Sequence, residues 1–120
     1  MTISFKETPE FSKDYKHYLK KYKTLDGDFL NLKKIILTFP CGTGKHFNVI
    51  TIINEFTIIK ARFFCRCLKR SSLRIIYVYD KKQNIVDFLE IYFKGDKENE
   101  ERVRIKEYLK SKCDYGKQQF

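Results

Sequence analysis

From Phe47 to Lys94 the apolar residues gather into the runs FNVITII, TIIKARFFCRCL, LRIIYVYD and IVDFLEIYFK, rich in β-branched and aromatic side chains. Asn54-Glu55 and Lys81–Asn84 are short polar breaks between them and read as turns. The first run, Phe47–Ile53, reads equally as a strand or a long loop. This block commits the second half of the chain to a sheet.

Before Phe47 the period is helical. Thr8 can cap a helix that has Pro9 at its first position, and Phe11, Tyr15, Tyr18, Leu19 and Tyr22 recur at helical spacing, which predicts a helix near 9–22. Asp26-Gly27-Asp28 is expected to break it. Phe29, Leu32, Ile35, Ile36 and Phe39 form a second stripe that ends at Pro40. A short strand is expected at Thr2–Phe5. A last helix is expected to start in Asp96–Glu101, with Val103, Ile105, Tyr108 and Leu109 on its apolar face. The order βααββββα predicts an α+β fold: two N-terminal helices and a C-terminal helix on a twisted, mainly antiparallel sheet of four to five strands.

At 120 residues one domain spanning 1–120 is expected, with 113–120 as a frayed tail. An apolar content of 42% and an aromatic content of 16% argue against disorder. Every apolar run is shorter than a bilayer span, so no membrane partner is expected. MTISFKETPEF lacks a basic start followed by an apolar stretch, so a cytoplasmic location is expected.

Formal charge is +10, from 25 basic and 15 acidic side chains. Lys60, Arg62, Arg66, Lys69, Arg70 and Arg74 follow one another with no acid between them. A surface of that kind suits a polyanion, or it serves only solubility. The four cysteines, Cys41, Cys65, Cys67 and Cys113, form no zinc signature and read as buried or incidental thiols, so no metal or cofactor is expected. GTGKH at 42–46 departs from a phosphate loop twice: Phe39 stands where the first glycine belongs, and His46 replaces the Ser or Thr that meets magnesium. It reads as a flexible connection.

Strand alternation through 59–67 puts Lys60, Arg62, Phe64 and Arg66 on one face, and Ile59, Ala61, Phe63, Cys65 and Cys67 on the other. The second set is a core face. The first lines up like charges, which costs folding energy. It reads as a solvated strand face or as an anion site, with Arg74 at the start of the next strand close enough to join it. Glu90, Tyr92 and Lys94 share a face of the final strand, with Glu90 as a salt-bridge partner for a cation.

The strand KAR (60–62), the segment LRIIY (73–77) and the final strand running into a charged helix, in this order and spacing, resemble the RelE/ParE superfamily of toxin–antitoxin toxins. The resemblance runs from residue 3 to about 110. It implies helices on a twisted antiparallel sheet. For the RelE branch it also implies cleavage of messenger RNA in the ribosomal A site without metal, by attack of the ribose 2′-OH on the adjacent phosphate. Such a step needs a base, positive charge on the phosphorane oxygens and an acid. Crowded cations penalise a lysine's charged form, so one lysine of such a set becomes a usable base.

By resemblance, Lys60 matches the strand lysine that acts as base, Arg62 stands where a second lysine is common, and Arg74 matches the arginine of the R-x-x-Y strand. Lys94 lies near the acid-donating arginine. Arg66, Lys69, Arg70 and Tyr92 are expected RNA contacts, and Tyr92 and Tyr108 are candidates for the tyrosine that stacks on the base, though Tyr108 also suits the core. The resemblance further implies a cognate antitoxin, contact with the ribosome and mRNA, and operator DNA reached through the antitoxin. A ParE-like gyrase-inhibiting toxin and a catalytically inert antitoxin- or nucleic-acid-binding module are the alternatives.

Overall fold

A computed structural model describes residues 3–64, 66, 72–93 and 102–112. The elements are β1 (Ser4–Glu7), α1 (Pro9–Lys21), α2 (Leu25–Thr38), β2 (Phe47–Ile53), β3 (Phe56–Phe63), β4 (Leu73–Asp80), β5 (Ile85–Phe93) and α3 (Arg102–Lys112). This is the expected order, and Phe47–Ile53 is a strand. The expected start of α3 in 96–101 and the tail from 113 lie outside the described residues.

The five strands form one sheet in the order β1-β5-β4-β3-β2. Short turns join β2 to β3 and β4 to β5, and Asn54 and Asn84 take the left-handed backbone conformation those turns require. The consecutive pairs from β2 to β5 are therefore antiparallel. β1 adds itself parallel to β5, Ser4 opposite Ile85, because the chain between them crosses the sheet as helices.

The two faces are covered unequally. On one, Phe11 and Tyr18 of α1 and Leu25, Phe29, Leu32 and Ile36 of α2 pack on Ile59, Ala61, Phe63, Ile75, Tyr77 and Phe88. On the other, Ile105 of α3, with Tyr108 and Leu109, covers Phe56, Ile58, Ile76, Val78 and Leu89. α3 reaches only part of that second face.

Three expectations change. Asp26-Gly27-Asp28 does not break the chain between helices but forms the first turn of α2, where its acids meet the positive helix end. β3 ends at Phe63, so Phe64 and Arg66 are not strand residues. Val103 is exposed, because α3 turns Ile105 rather than Val103 to the sheet. Cys41 is an exposed free thiol, whereas Cys65, Cys67 and Cys113 lie outside the described residues.

Candidate functional site

Alternation along β3 sends Ile59, Ala61 and Phe63 under α1 and α2, and so turns Lys60 and Arg62 to the opposite face. They stand beyond the part that α3 covers. In the strand register Arg62 lies directly opposite Arg74, and Lys60 lies between Asn48 of β2 and Ile76 of β4. Directly opposed side chains are about 5 Å apart at Cβ, so Arg62 and Arg74 repel each other. Burial pushes the Arg74 guanidinium below its ordinary range, and the charge of Arg62 pushes it the same way, while Tyr92 opposes both. Ser72, buried just before β4, steadies Arg74 by accepting from Nη1 through its hydroxyl and its carbonyl.

The α2–β2 loop closes the site from the side. Gly42 and Gly44 adopt positive φ, 86° and 74°, and let the chain turn from Pro40 into Phe47. Tyr77 donates to the Pro40 carbonyl at 2.9 Å, and burial raises its phenol above the ordinary value, so it remains a donor. At the other end the Arg62 N–H donates to the His46 carbonyl at 2.8 Å. These two ties set Lys45 and His46 against β3.

The result is a cleft of about 160 Å³ lined by Lys45, His46, Asn48, Lys60, Arg62 and Arg74. Among the described residues its lining carries four cations, an imidazole and an amide, and no carboxylate. His46 Nδ1 is buried with no hydrogen-bond partner among the described residues, and its ring stands perpendicular to that of Phe64, 5.0 Å between centroids. A site of this composition can hold a phosphate, with guanidinium forks on its oxygens and side chains able to carry a proton beside it. Among the described residues no three His, Cys, Asp or Glu side chains are grouped to hold a metal.

Sequence reading brought Lys60, Arg62 and Arg74 together, and the structure does the same. It missed Lys45, His46 and Asn48. The available signal was a cation and a histidine directly following a Gly-x-Gly turn and leading into a strand.

Tyr92 is corrected as an expected RNA contact, and Arg66 leaves the strand row while its side chain stays 69% exposed. Arg66 does not extend the strand row: its backbone N–H and its Nε both donate to the buried Asp28 of α2, at 2.9 and 2.8 Å, and Thr24 completes that carboxylate. Tyr92 is 2% exposed, packed with the residues under α3 beside Arg74, and has no ring face left for a base. Glu90 is also buried, and its charge acts on Arg104 of α3. Lys69, Arg70 and Lys94 lie outside the described residues.

No protein-family model matches the sequence, and no curated protein matches it. A chain of the archaeal RelE–RelB complex from Pyrococcus horikoshii OT3 is similar in structure, with TM-score 0.58 and 19% identity over 79% of this chain and 98% of that one. The fold of this chain is RelE-like: three helices packed on a five-stranded mixed sheet.

Proposed function

We propose that this RelE-like chain is the toxin of a type II toxin–antitoxin system, acting in the cytoplasm as a metal-independent, ribosome-dependent endoribonuclease on mRNA. The observation that carries the reading is the cleft in which the cations Lys45, Lys60, Arg62 and Arg74 converge, with no carboxylate among its described lining residues. Opposed arginines cost stability and return nothing until an anion lies between them. The similar archaeal chain occurs in a complex with RelB, which supports an antitoxin partner here, with operator DNA reached through it.

In this reading a ribose 2′-OH attacks the adjacent phosphorus and Lys60 takes its proton. The O2′–P bond forms as the P–O5′ bond breaks. Arg62 and Arg74 hold the phosphorane oxygens, whose charge grows in the transition state. His46, on the wall of the cleft, gives the leaving 5′-oxygen its proton. The products are a 2′,3′-cyclic phosphate and a free 5′-OH.

The test is induction of the wild type and of the Lys60→Ala, Arg74→Ala double variant in a bacterial host, with 5′ ends of translated messages mapped. Codon-phased new ends from the wild type, absent in the variant, are expected. Equal growth arrest by both, without phased ends, refutes the nuclease; gyrase-linked DNA breaks would assign the arrest to a ParE-like action instead.

A further inference from the structure

The cation cleft is not alone on its side of the molecule. A second, largely apolar slot of about 230 Å³ opens beside it between α2 and the end of β3. Ile35, Asn31, Phe47 and Phe64 line it, and it shares His46 and Arg62 with the cleft. Phe64, just past the end of β3, is 56% exposed and Ile35, on α2, is 42% exposed, large apolar side chains left in water.

We propose that this slot receives a nucleobase of the RNA whose phosphate occupies the cation cleft, and that Phe64 is its stacking platform. The proposal rests on the reading of the cleft as a phosphodiester site. A nucleotide has an anionic end and a flat apolar end, and two adjoining depressions with the same split share a wall here. An apolar side chain of a protein would fill the slot but would have no use for the four cations beside it. Single-stranded RNA uses both, because bases stack on exposed aromatic rings while the backbone follows positive charge. The His46 ring stands perpendicular to that of Phe64, and no other described ring pairs with Phe64. Asn31, on α2, brings an amide to the rim that can donate to and accept from a base edge. The slot replaces, as a place for the base, the tyrosine that α3 has buried.

The experiment is fluorescence anisotropy at low salt with a single-stranded RNA pentamer and the same pentamer made abasic at its centre. The full-length wild type, Phe64→Ala, Phe64→Tyr and Arg62→Ala are compared. Stacking of one base on an aromatic ring changes affinity by roughly tenfold or more. The wild type is expected to prefer the complete RNA by that factor, Phe64→Ala to lose the preference while still binding the backbone, and Phe64→Tyr to keep it. Ultraviolet crosslinking through a central 5-bromouridine is expected to mark Phe64.

Salt-sensitive, Arg62-dependent binding without base preference overturns the slot alone. A preference unchanged in Phe64→Ala does the same, and leaves the slot to a protein side chain. Absence of binding to either RNA overturns the cleft reading and the slot with it. Sedimentation showing a wild-type dimer that Phe64→Ala dissociates overturns the proposal by making the slot a contact between two copies.

Discussion

Gly42 and Gly44 allow the α2–β2 loop to be tested with two substitutions that differ in one respect. Both residues have positive φ, so alanine at each pays the left-handed strain of about 1 kcal/mol. At Gly44 a Cβ meets nothing within 4 Å. At Gly42 it overlaps Cβ and Cγ of Phe47, far inside the 3.0 Å limit of real Cβ contacts. The Phe47 Cβ is fixed by the β2 backbone and cannot swing aside, so the loop or the strand must shift, at roughly 1–3 kcal/mol more. Gly44→Ala is therefore expected to cost about 1 kcal/mol and Gly42→Ala about 2–4 kcal/mol. Urea unfolding followed by circular dichroism measures both. With the slope of about 1–3 kcal/mol per molar typical of small domains, the midpoints separate by roughly 1 M. RNA binding should fall further in Gly42→Ala, since Lys45 and His46 follow the displaced turn. Equal shifts for the two variants would refute the loop placement, and with it the third wall of the cleft.

Asp28→Ala removes the acceptor of three hydrogen bonds, from Thr24 and twice from Arg66, at a buried position. It is expected to lower stability by roughly 2 kcal/mol in a thermal melt. Burial raises the Asp87 carboxyl above its ordinary value, with Tyr108, Lys112 and Lys6 offsetting part of the effect. The folded chain then holds that proton to higher pH than the unfolded chain, so this group's contribution falls as pH rises from the ordinary carboxylate range to the raised value, and stays lower above it. Asp87→Asn should therefore raise the melting temperature at neutral pH and have no stabilising effect at acid pH, in melts run across that range. Lys45→Ala should reduce the slope of log affinity for single-stranded RNA against log salt by about 0.7, while leaving the base preference intact.

Much of the fold could be read from periodicity and caps. Thr8 does cap α1 by accepting from the Phe11 N–H, and the β-rich runs are the strands their composition announced. The parallel edge strand was not legible as such, because Ser4–Glu7 is short and mostly exposed and its partner lies 81 residues on. The row of cations read from β3 was right as far as Arg62. It ran on to Arg66 because FFCRCL stays β-prone, and alternation says nothing of where a strand leaves its sheet. Asp28 held the missing clue: a buried acid on the stripe of Leu25, Phe29, Leu32 and Ile36 is expected to draw a cation onto itself, and Arg66 caps it from the surface. Tyr92 could be placed on the cation face, but only the packing of α3 decides that this end of the face is closed. Lys45 and His46 stand in a loop that departs from the phosphate-loop pattern, so no motif marks them. Their role depends on a tertiary turn that brings them to β3, and residue spacing does not encode it.

The central claim is that the cation cleft promotes attack by a ribose 2′-OH. It is tested most directly with purified translating ribosomes carrying two messages, one natural and one with 2′-deoxyribose at the nucleotide on the 5′ side of the cleaved bond. Wild-type protein is expected to cut only the natural message, leaving a 2′,3′-cyclic phosphate and a 5′-OH. Arg62→Ala is expected to slow the cut by roughly 10²–10³-fold, the loss seen when one preorganised donor to a developing oxyanion is removed. Cleavage of the deoxy-substituted message at an undiminished rate would contradict the claim.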